Sequence, residues 1–195
     1  CDEHGRVLDD GTIHRLDDEG GTQVVRWTAA DPQIRWLRMN AHGLDVEVRD
    51  VSESVAAVAL QGPLSRDVLE AATDAPFADL RYFRRRRATL AGIPIDVSRT
   101  GYTGDLGYEL WIPADRAVEA WDALIAAGEP YRVRPAGMLA LDIVRLEAGQ
   151  PARRAIRKAR RPERAGGGEG GQRLETPAGA RAAPAAVADR RVDEV

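Results

Sequence analysis

The sequence predicts an α+β fold in which helices pack on an antiparallel sheet. Apolar strand segments occur in pairs joined by short turns, as in Phe83–Leu90 and Ile93–Ser98 across Ala91-Gly92. Segments of helical period, such as Ala114–Ala127, are interspersed among these strands. Hairpins with interspersed helices indicate a layer of helices against a sheet.

The first predicted elements are separated by polar turns. Thr12–Leu16 and Gln23–Thr28 are predicted as two strands. Asp31 and the proline after it begin a helix, because the carboxylate can cap the first turn, and Gly43 ends it. A further strand is predicted over Asp45–Val51, where valines alternate imperfectly with charged residues.

The remaining elements follow from the same patterns. They are strand Val55–Leu60, a helix after Pro63, strand Gly107–Ile112, helix Ala114–Ala127 and helix Pro135–Glu147. Gly128 is predicted to cap helix 114–127. The predicted buried face of that helix consists of Val118, Trp121, Leu124 and Ile125. Trp36 and Trp111 are also expected to pack in the core.

Composition changes sharply after Gly149. Residues 1–149 carry a net charge of −8 and all ten aromatic side chains, whereas residues 150–195 carry +5 and no apolar periodicity. We therefore predict a domain over 1–149 and a disordered basic tail over 150–195. The tail is rich in Arg, Ala, Gly and Pro, whose codons begin with two G or C bases, which favours an out-of-frame translation over a nucleic-acid-binding tail.

Several classes of site and location are disfavoured by residue content. One cysteine and three scattered histidines provide neither a disulfide nor a metal-ligand spacing. No apolar run is long enough for a membrane span and no signal segment opens the chain, so a cytoplasmic location is the default expectation. Because the chain begins at Cys1, we expect a piece of a longer protein.

The glycine-rich stretch Thr100–Glu109 is the first candidate for a ligand-binding loop. It holds three glycines and two tyrosines directly before a strand, and glycine permits close approach of the backbone to a ligand. It is not a phosphate-binding loop, because no lysine follows the glycines and no helix comes next. A bulged turn with core tyrosines is the structural alternative.

Two charged residues interrupt apolar surroundings. Glu109 lies between Tyr108 and Leu110, and Arg145 occupies an otherwise apolar helix. Facing one cavity, they could recognise a planar heterocycle, with the carboxylate accepting N–H groups and the guanidinium donating to ring acceptors. An internal salt bridge between them is an equal alternative.

The adjacent pair Asp9-Asp10 precedes the first strand. An inward carboxylate there could stabilise a developing cation or take part in proton transfer at an amine nitrogen. For an isolated pair, an Asx-type turn with capping hydrogen bonds is the favoured interpretation.

Four stretches together resemble the aminomethyltransferase family, typified by the glycine cleavage system T-protein. They cover residues 7–11, 59–63, 100–109 and 140–149. The resemblance implies tetrahydrofolate as cofactor, Asp9 as catalytic residue, and Tyr102, Glu109 and Arg145 as pterin-binding residues. It also implies a one-carbon transferase of the glycine cleavage type or a related methyl-group demethylase.

The resemblance also implies partners and leaves one alternative. The one-carbon donor is a small molecule or a lipoyl-carried group, the latter implying a lipoyl carrier protein; nucleic acid, membrane and metal are not expected. An N-terminal segment and a C-terminal barrel present in relatives are expected to be missing. The alternative is a non-catalytic folate-binding or iron–sulfur-assembly paralogue, although the cysteine motif typical of that branch is absent.

Overall fold

The computed structural model describes His4 and residues 11–16, 23–28 and 31–149. These residues form strands β1 (Ile13–Arg15), β2 (Val25–Trp27), β3 (Val55–Gln61), β4 (Arg85–Leu90), β5 (Ile93–Ser98) and β6 (Gly107–Pro113), and helices α1 (Asp31–Asn40), α2 (Ser65–Ala72), α3 (Ala117–Gly128) and α4 (Met138–Glu147). The chain divides into two units: the described residues of the first are 4, 11–12, 27–28 and 31–48, and those of the second are 13–16, 23–26 and 49–149.

The described part of the first unit is built around α1 and a pair of threonines. The backbone amide of Thr12 donates to Thr28 Oγ1 (2.8 Å), and the amide of Thr28 donates to the Thr12 carbonyl (3.0 Å). Helix α1 begins at Asp31, as predicted. Gly43 follows with a φ of 80°, which favours glycine where the helix ends.

The second unit contains a four-stranded sheet of order β3-β6-β5-β4, in which every neighbouring pair is antiparallel. The α+β prediction is thereby confirmed. The β4–β5 hairpin turns at Ala91 and Gly92, whose φ values of 50° and 77° match the left-handed conformation that two-residue hairpins require. Residues 13–26 of this unit include β1, which pairs with β2.

One face of the sheet forms the core with α2 and α3. Its buried side chains alternate along the strands, as the two-residue strand period requires; they are Val58, Leu60, Leu90, Ile93, Ile95, Val97, Tyr108, Leu110 and Ile112. Phe77 packs edge-on against Tyr108, with ring centroids 5.8 Å apart. Burial of each large apolar side chain stabilises the fold by about 1.5–3 kcal/mol.

Two predicted elements differ in the structure. The predicted strand Asp45–Val51 is wrong: residues 46–50 have no regular structure, and Val46 and Val51 are exposed, so no strand among the described residues covers them. The last helix begins at Met138 rather than at Pro135.

Predicted burial fails at two positions and a predicted cap at a third. Trp36 and Val118 are exposed, by 42% and 67% respectively, and Ala120 takes a buried place on α3 instead. Gly128 is not a left-handed cap, because its φ is −82°. A Cβ atom there would lie 2.7 Å from Val133 Cβ, so close packing explains the glycine.

The tail 150–195 and the Asp9-Asp10 pair lie outside the described residues. The described chain ends at Gly149, whose φ is 72°, just after α4. Among the helices that the structure describes, none has both the length and the apolar character needed to cross a bilayer.

Candidate functional site

The face of the sheet opposite the helices carries polar residues. On β6, alternate residues from Tyr108 to Ile112 are buried in the core, so Glu109 and Trp111 point to the other side. The strand register places Ser98 opposite Glu109 and Asp96 opposite Trp111. We call these four residues the polar face.

A chain of hydrogen bonds crosses the polar face. Trp111 Nε1 donates to Ser98 Oγ (3.2 Å), Ser98 Oγ lies 2.9 Å from Thr100 Oγ1, and Thr100 Oγ1 donates to Glu109 Oε2. Because the Thr100 proton goes to Glu109, Ser98 is the donor wherever the two hydroxyls bond, and the Glu109 carbonyl is a second acceptor for Ser98 at 3.5 Å. Every hydroxyl in the chain is therefore oriented towards holding Glu109 in place.

Glu109 keeps one oxygen for another partner. Its Oε2 accepts from Thr100, whereas Oε1 has no hydrogen-bond partner among the described residues. The side chain is half-buried, as expected for a carboxylate in this setting. A fixed carboxylate with an open acceptor can accept an N–H group from a ligand.

Arg145 is paired with Asp142 rather than with Glu109, and it has a donor available for a ligand. Its Nη2 lies 2.7 Å from Asp142 Oδ1, one turn earlier on α4, and no described ion pair joins it to Glu109. The Nε atom of Arg145 is buried without a hydrogen-bond partner. A buried unsatisfied N–H costs about 1–3 kcal/mol, so this donor is suited to an acceptor that a ligand provides.

Gln61, at the end of β3, fixes the glycine-rich loop. Its Nε2 donates to the carbonyls of Thr100 (3.3 Å) and Tyr108 (3.2 Å), at the two ends of that loop. Thr103 Oγ1 in turn donates to Gln61 Oε1 (3.2 Å). One amide side chain therefore closes the loop between β5 and β6.

The loop glycines are required by close contacts. A Cβ atom on Gly101 or Gly107 would overlap with the Gln61 side chain, and one on Gly104 would overlap with Ala148. The loop at Gly104 therefore packs closely against Ala148, which directly follows α4 and lies three residues after Arg145. Tyr102, 44% exposed, lies in this loop.

A second charged group occupies the far part of the polar face. Arg26 Nη2 donates to Asp96 Oδ2 (2.6 Å), and Arg85 Nη1 donates to Asp96 Oδ1 (2.8 Å). The Arg26 guanidinium also lies over Trp111, 5.2 Å from the ring centre. Burial lowers the pKa of the nearby His14, and the positive charges of Arg26 and Arg85 lower it further.

Comparison with known proteins identifies the family. A model described as the GCVT N-terminal domain matches residues 1–164. The chain belongs to the GCVT N-terminal domain family. The predicted resemblance to the glycine cleavage T-protein is thereby confirmed.

Curated relatives of this GCVT domain bear the name aminomethyltransferase. The identity is 40% over 151 residues with the protein of Streptomyces coelicolor and 36% over 152 residues with that of Thermoanaerobacter sp.. It is 34% over 148 residues with the protein of Thermotoga maritima. The chain spans about 41% of the length of these relatives.

A solved structure shares the fold of the GCVT domain. It is a heterotetrameric sarcosine oxidase from Corynebacterium sp. U-96 in complex with pyrrole 2-carboxylate, with a TM-score of 0.53 and 20% identity. The similarity covers 65% of this chain and 64% of the other.

The structure relates three of the four predicted site residues of the GCVT domain to one another. Glu109 is linked through Thr100 to the loop that carries Tyr102, and that loop contacts the helix that carries Arg145. Asp9 lies outside the described residues. Within the described part of the chain, no group of His, Cys, Asp and Glu side chains could hold a metal ion.

Several contributors to the site were missed from sequence. Trp111, expected to pack in the core, instead donates a hydrogen bond on the polar face. The sequence could have indicated Asp96 as a site residue, because it is a charged residue between Ile95 and Val97 in a predicted strand. Its partner Arg26 is 70 residues away, and no local pattern could indicate that contact.

Proposed function

We propose that the full protein is a tetrahydrofolate-dependent one-carbon transferase of the aminomethyltransferase type or a related methyl-group demethylase. The observation that carries this proposal is the pair of unfilled polar atoms, the acceptor Glu109 Oε1 and the buried donor Arg145 Nε. Membership of the GCVT family and the names of the relatives support it.

The unfilled atoms fit the edge of a reduced pterin. Glu109 would accept N–H groups from its amino-amide edge, while Arg145 would donate to a ring acceptor. Tyr102, on the loop between them, would cover the ring. Bound tetrahydrofolate supplies the nitrogen atoms that receive the one-carbon unit.

Asp9 completes the proposed site as its catalytic residue. Its carboxylate would stabilise positive charge that develops at an amine nitrogen or accept a proton there. The donor would be a methylated small molecule or an aminomethyl group on a lipoyl carrier protein, and the reaction would take place in the cytoplasm.

Calorimetric titration of the full-length protein, longer than these 195 residues, with tetrahydrofolate tests this proposal. Glu109→Ala and Arg145→Ala are each expected to weaken binding by roughly 10- to 150-fold, the loss of a charge-assisted hydrogen bond of about 1.5–3 kcal/mol. Unchanged affinity in both variants would remove this pocket from consideration.

Arg116→Ala is the matched control for Arg145→Ala. Arg116 makes the same kind of ion pair with a carboxylate three residues away, Glu119, at 2.7 Å, as Arg145 makes with Asp142. Arg116 has no buried unsatisfied nitrogen. Its removal is expected to leave tetrahydrofolate affinity unchanged.

A further inference from the structure

Arg26 is an arginine whose hydrogen-bonding capacity is largely unused. Its guanidinium has five N–H donors, and the described residues accept only the one bond from Nη2 to Asp96. The side chain is 17% exposed, so it is mostly withdrawn from water. A guanidinium in this position has donors ready for a planar anionic group.

Asp96 does not form a bidentate salt bridge with Arg26. Arg85 takes the other carboxylate oxygen at 2.8 Å, so the carboxylate is shared between two guanidinium groups. Arg26 therefore keeps the parallel pair of N–H groups with which arginine binds a carboxylate in bidentate fashion. Asp96 and the Trp111 ring hold the guanidinium in place.

A second unsatisfied group lies in the same cluster. His14 is 7% exposed, and its Nε2 atom is buried without a hydrogen-bond partner. Burial lowers the pKa of His14, which favours the neutral ring. The buried His14 Nε2 without a partner, beside an arginine with unused donors, indicates that this cluster can take a further hydrogen-bonding partner.

The cluster borders a cleft. A hollow of about 350 Å³ is lined in part by Arg26, Asp96, Trp111, Pro94 and Pro113. It combines apolar lining residues with two arginines, Arg26 and Arg87, and this combination suits a small organic anion rather than an inorganic ion.

Strand β6 contributes Trp111, Ile112 and Pro113 to the cleft, and Glu109 lies two residues before them on the same strand. Trp111 follows Glu109 by two residues on the same face of β6, a separation of about 7 Å. The hydrogen-bond chain through Ser98 and Thr100 joins the two positions. A ligand that contacts Glu109 would reach the Arg26 guanidinium, which lies over Trp111, by extending about 7 Å along β6.

We propose that Arg26, held over Trp111 by Asp96, binds a carboxylate group of the ligands that this site takes. The assignment rests on the proposed function and deepens it by naming a carboxylate subsite. A carboxylate can come from two sources, the glutamate of tetrahydrofolate or a one-carbon donor of the N-methylated amino acid class.

Titration calorimetry on the full-length protein tests the subsite and separates the sources. The first arm compares tetrahydrofolate with 6-methyltetrahydropterin, which has no carboxylate. If the folate glutamate occupies the subsite, Arg26→Ala weakens tetrahydrofolate binding by roughly ten- to a hundredfold and leaves 6-methyltetrahydropterin unchanged. Glu109→Ala weakens both.

The second arm titrates N-methylglycine into protein saturated with 6-methyltetrahydropterin. If the donor carboxylate occupies the subsite, Arg26→Ala weakens N-methylglycine binding by a similar factor and leaves tetrahydrofolate binding unchanged. Arg26→Gln, which keeps a donor for Asp96, serves if the alanine variant does not fold, and the same losses are expected.

Arg86→Ala is the matched control. Arg86 also pairs with one aspartate, Asp79 (2.8 Å), and lies over an aromatic ring, Phe77 (6.0 Å). Its neighbour Arg85 points to the polar face, so Arg86 points away from it. If Arg26 variants lose no more affinity than Arg86→Ala in either arm, the carboxylate subsite is wrong while pterin binding stands. If the wild type binds neither pterin, the proposed function itself fails, and the subsite with it.

Discussion

The Gln61 side chain fills the space that a Cβ atom on Gly107 would occupy. From that position it donates to the carbonyls of Thr100 and Tyr108, which are 8 residues apart along the chain. The glycine at the start of β6 and the glutamine at the end of β3 are therefore one structural feature. They shape the loop that carries Tyr102.

Gly107→Ala is expected to lower the free energy of unfolding by about 1–3 kcal/mol, because the added methyl group displaces Gln61 from its hydrogen bonds. Urea unfolding measures the change. Gly137→Ala is the control, since a Cβ atom there meets open space at a φ of −83°. In a Gln61→Ala background the Gly107→Ala cost should largely disappear. Equal costs in both backgrounds would show that the two residues are independent.

Asp9→Asn is expected to retain tetrahydrofolate binding while transfer falls by at least about a hundredfold, because the shape is kept and the charge is lost. Single-turnover assays with a competent donor measure the rate. Asp10→Asn is the neighbouring control and should have a mild effect. A non-catalytic paralogue would show no dependence on Asp9 at all.

The lowered pKa of His14 predicts a specific loss of stability in acid. Between its depressed folded value and the ordinary value of 6.5, the unfolded chain binds a proton that the folded chain does not. Stability therefore rises with pH through this window and falls on acidification below about 6.5. Urea midpoints at pH 7.5 and 5.5 measure the slope. His14→Gln should reduce it and the exposed His42→Gln should not; an identical slope in both variants would rule out His14 as its origin.

The isolated 195-residue chain is expected to associate or to melt without a sharp transition. Helix α4 exposes Leu139 (80%), Ile143 and Leu146 on one side, and such apolar patches favour association. From its composition, the region after Gly149 should be cut first by protease. Calorimetry and limited proteolysis test both expectations. A cooperative melt with residues 150–195 protected would contradict them.

The sequence by itself determined the local elements and the family. Periodicity and turn residues located the β4–β5 hairpin to within two residues, because strand period and left-handed turns depend on near neighbours in the chain. The same local patterns misplaced Asp45–Val51 and Val118, because whether an apolar residue is buried depends on what packs over it.

Only the tertiary structure decided which distant residues form the site. Sheet order brings β3 beside β6, and so places Gln61 against a loop some 40 residues later. Packing likewise sets Arg26 against Asp96, 70 residues apart, and gives Glu109 a threonine partner instead of Arg145. Such contacts depend on strand order and register, which arise from burying a shared core and leave no periodic signal in the chain.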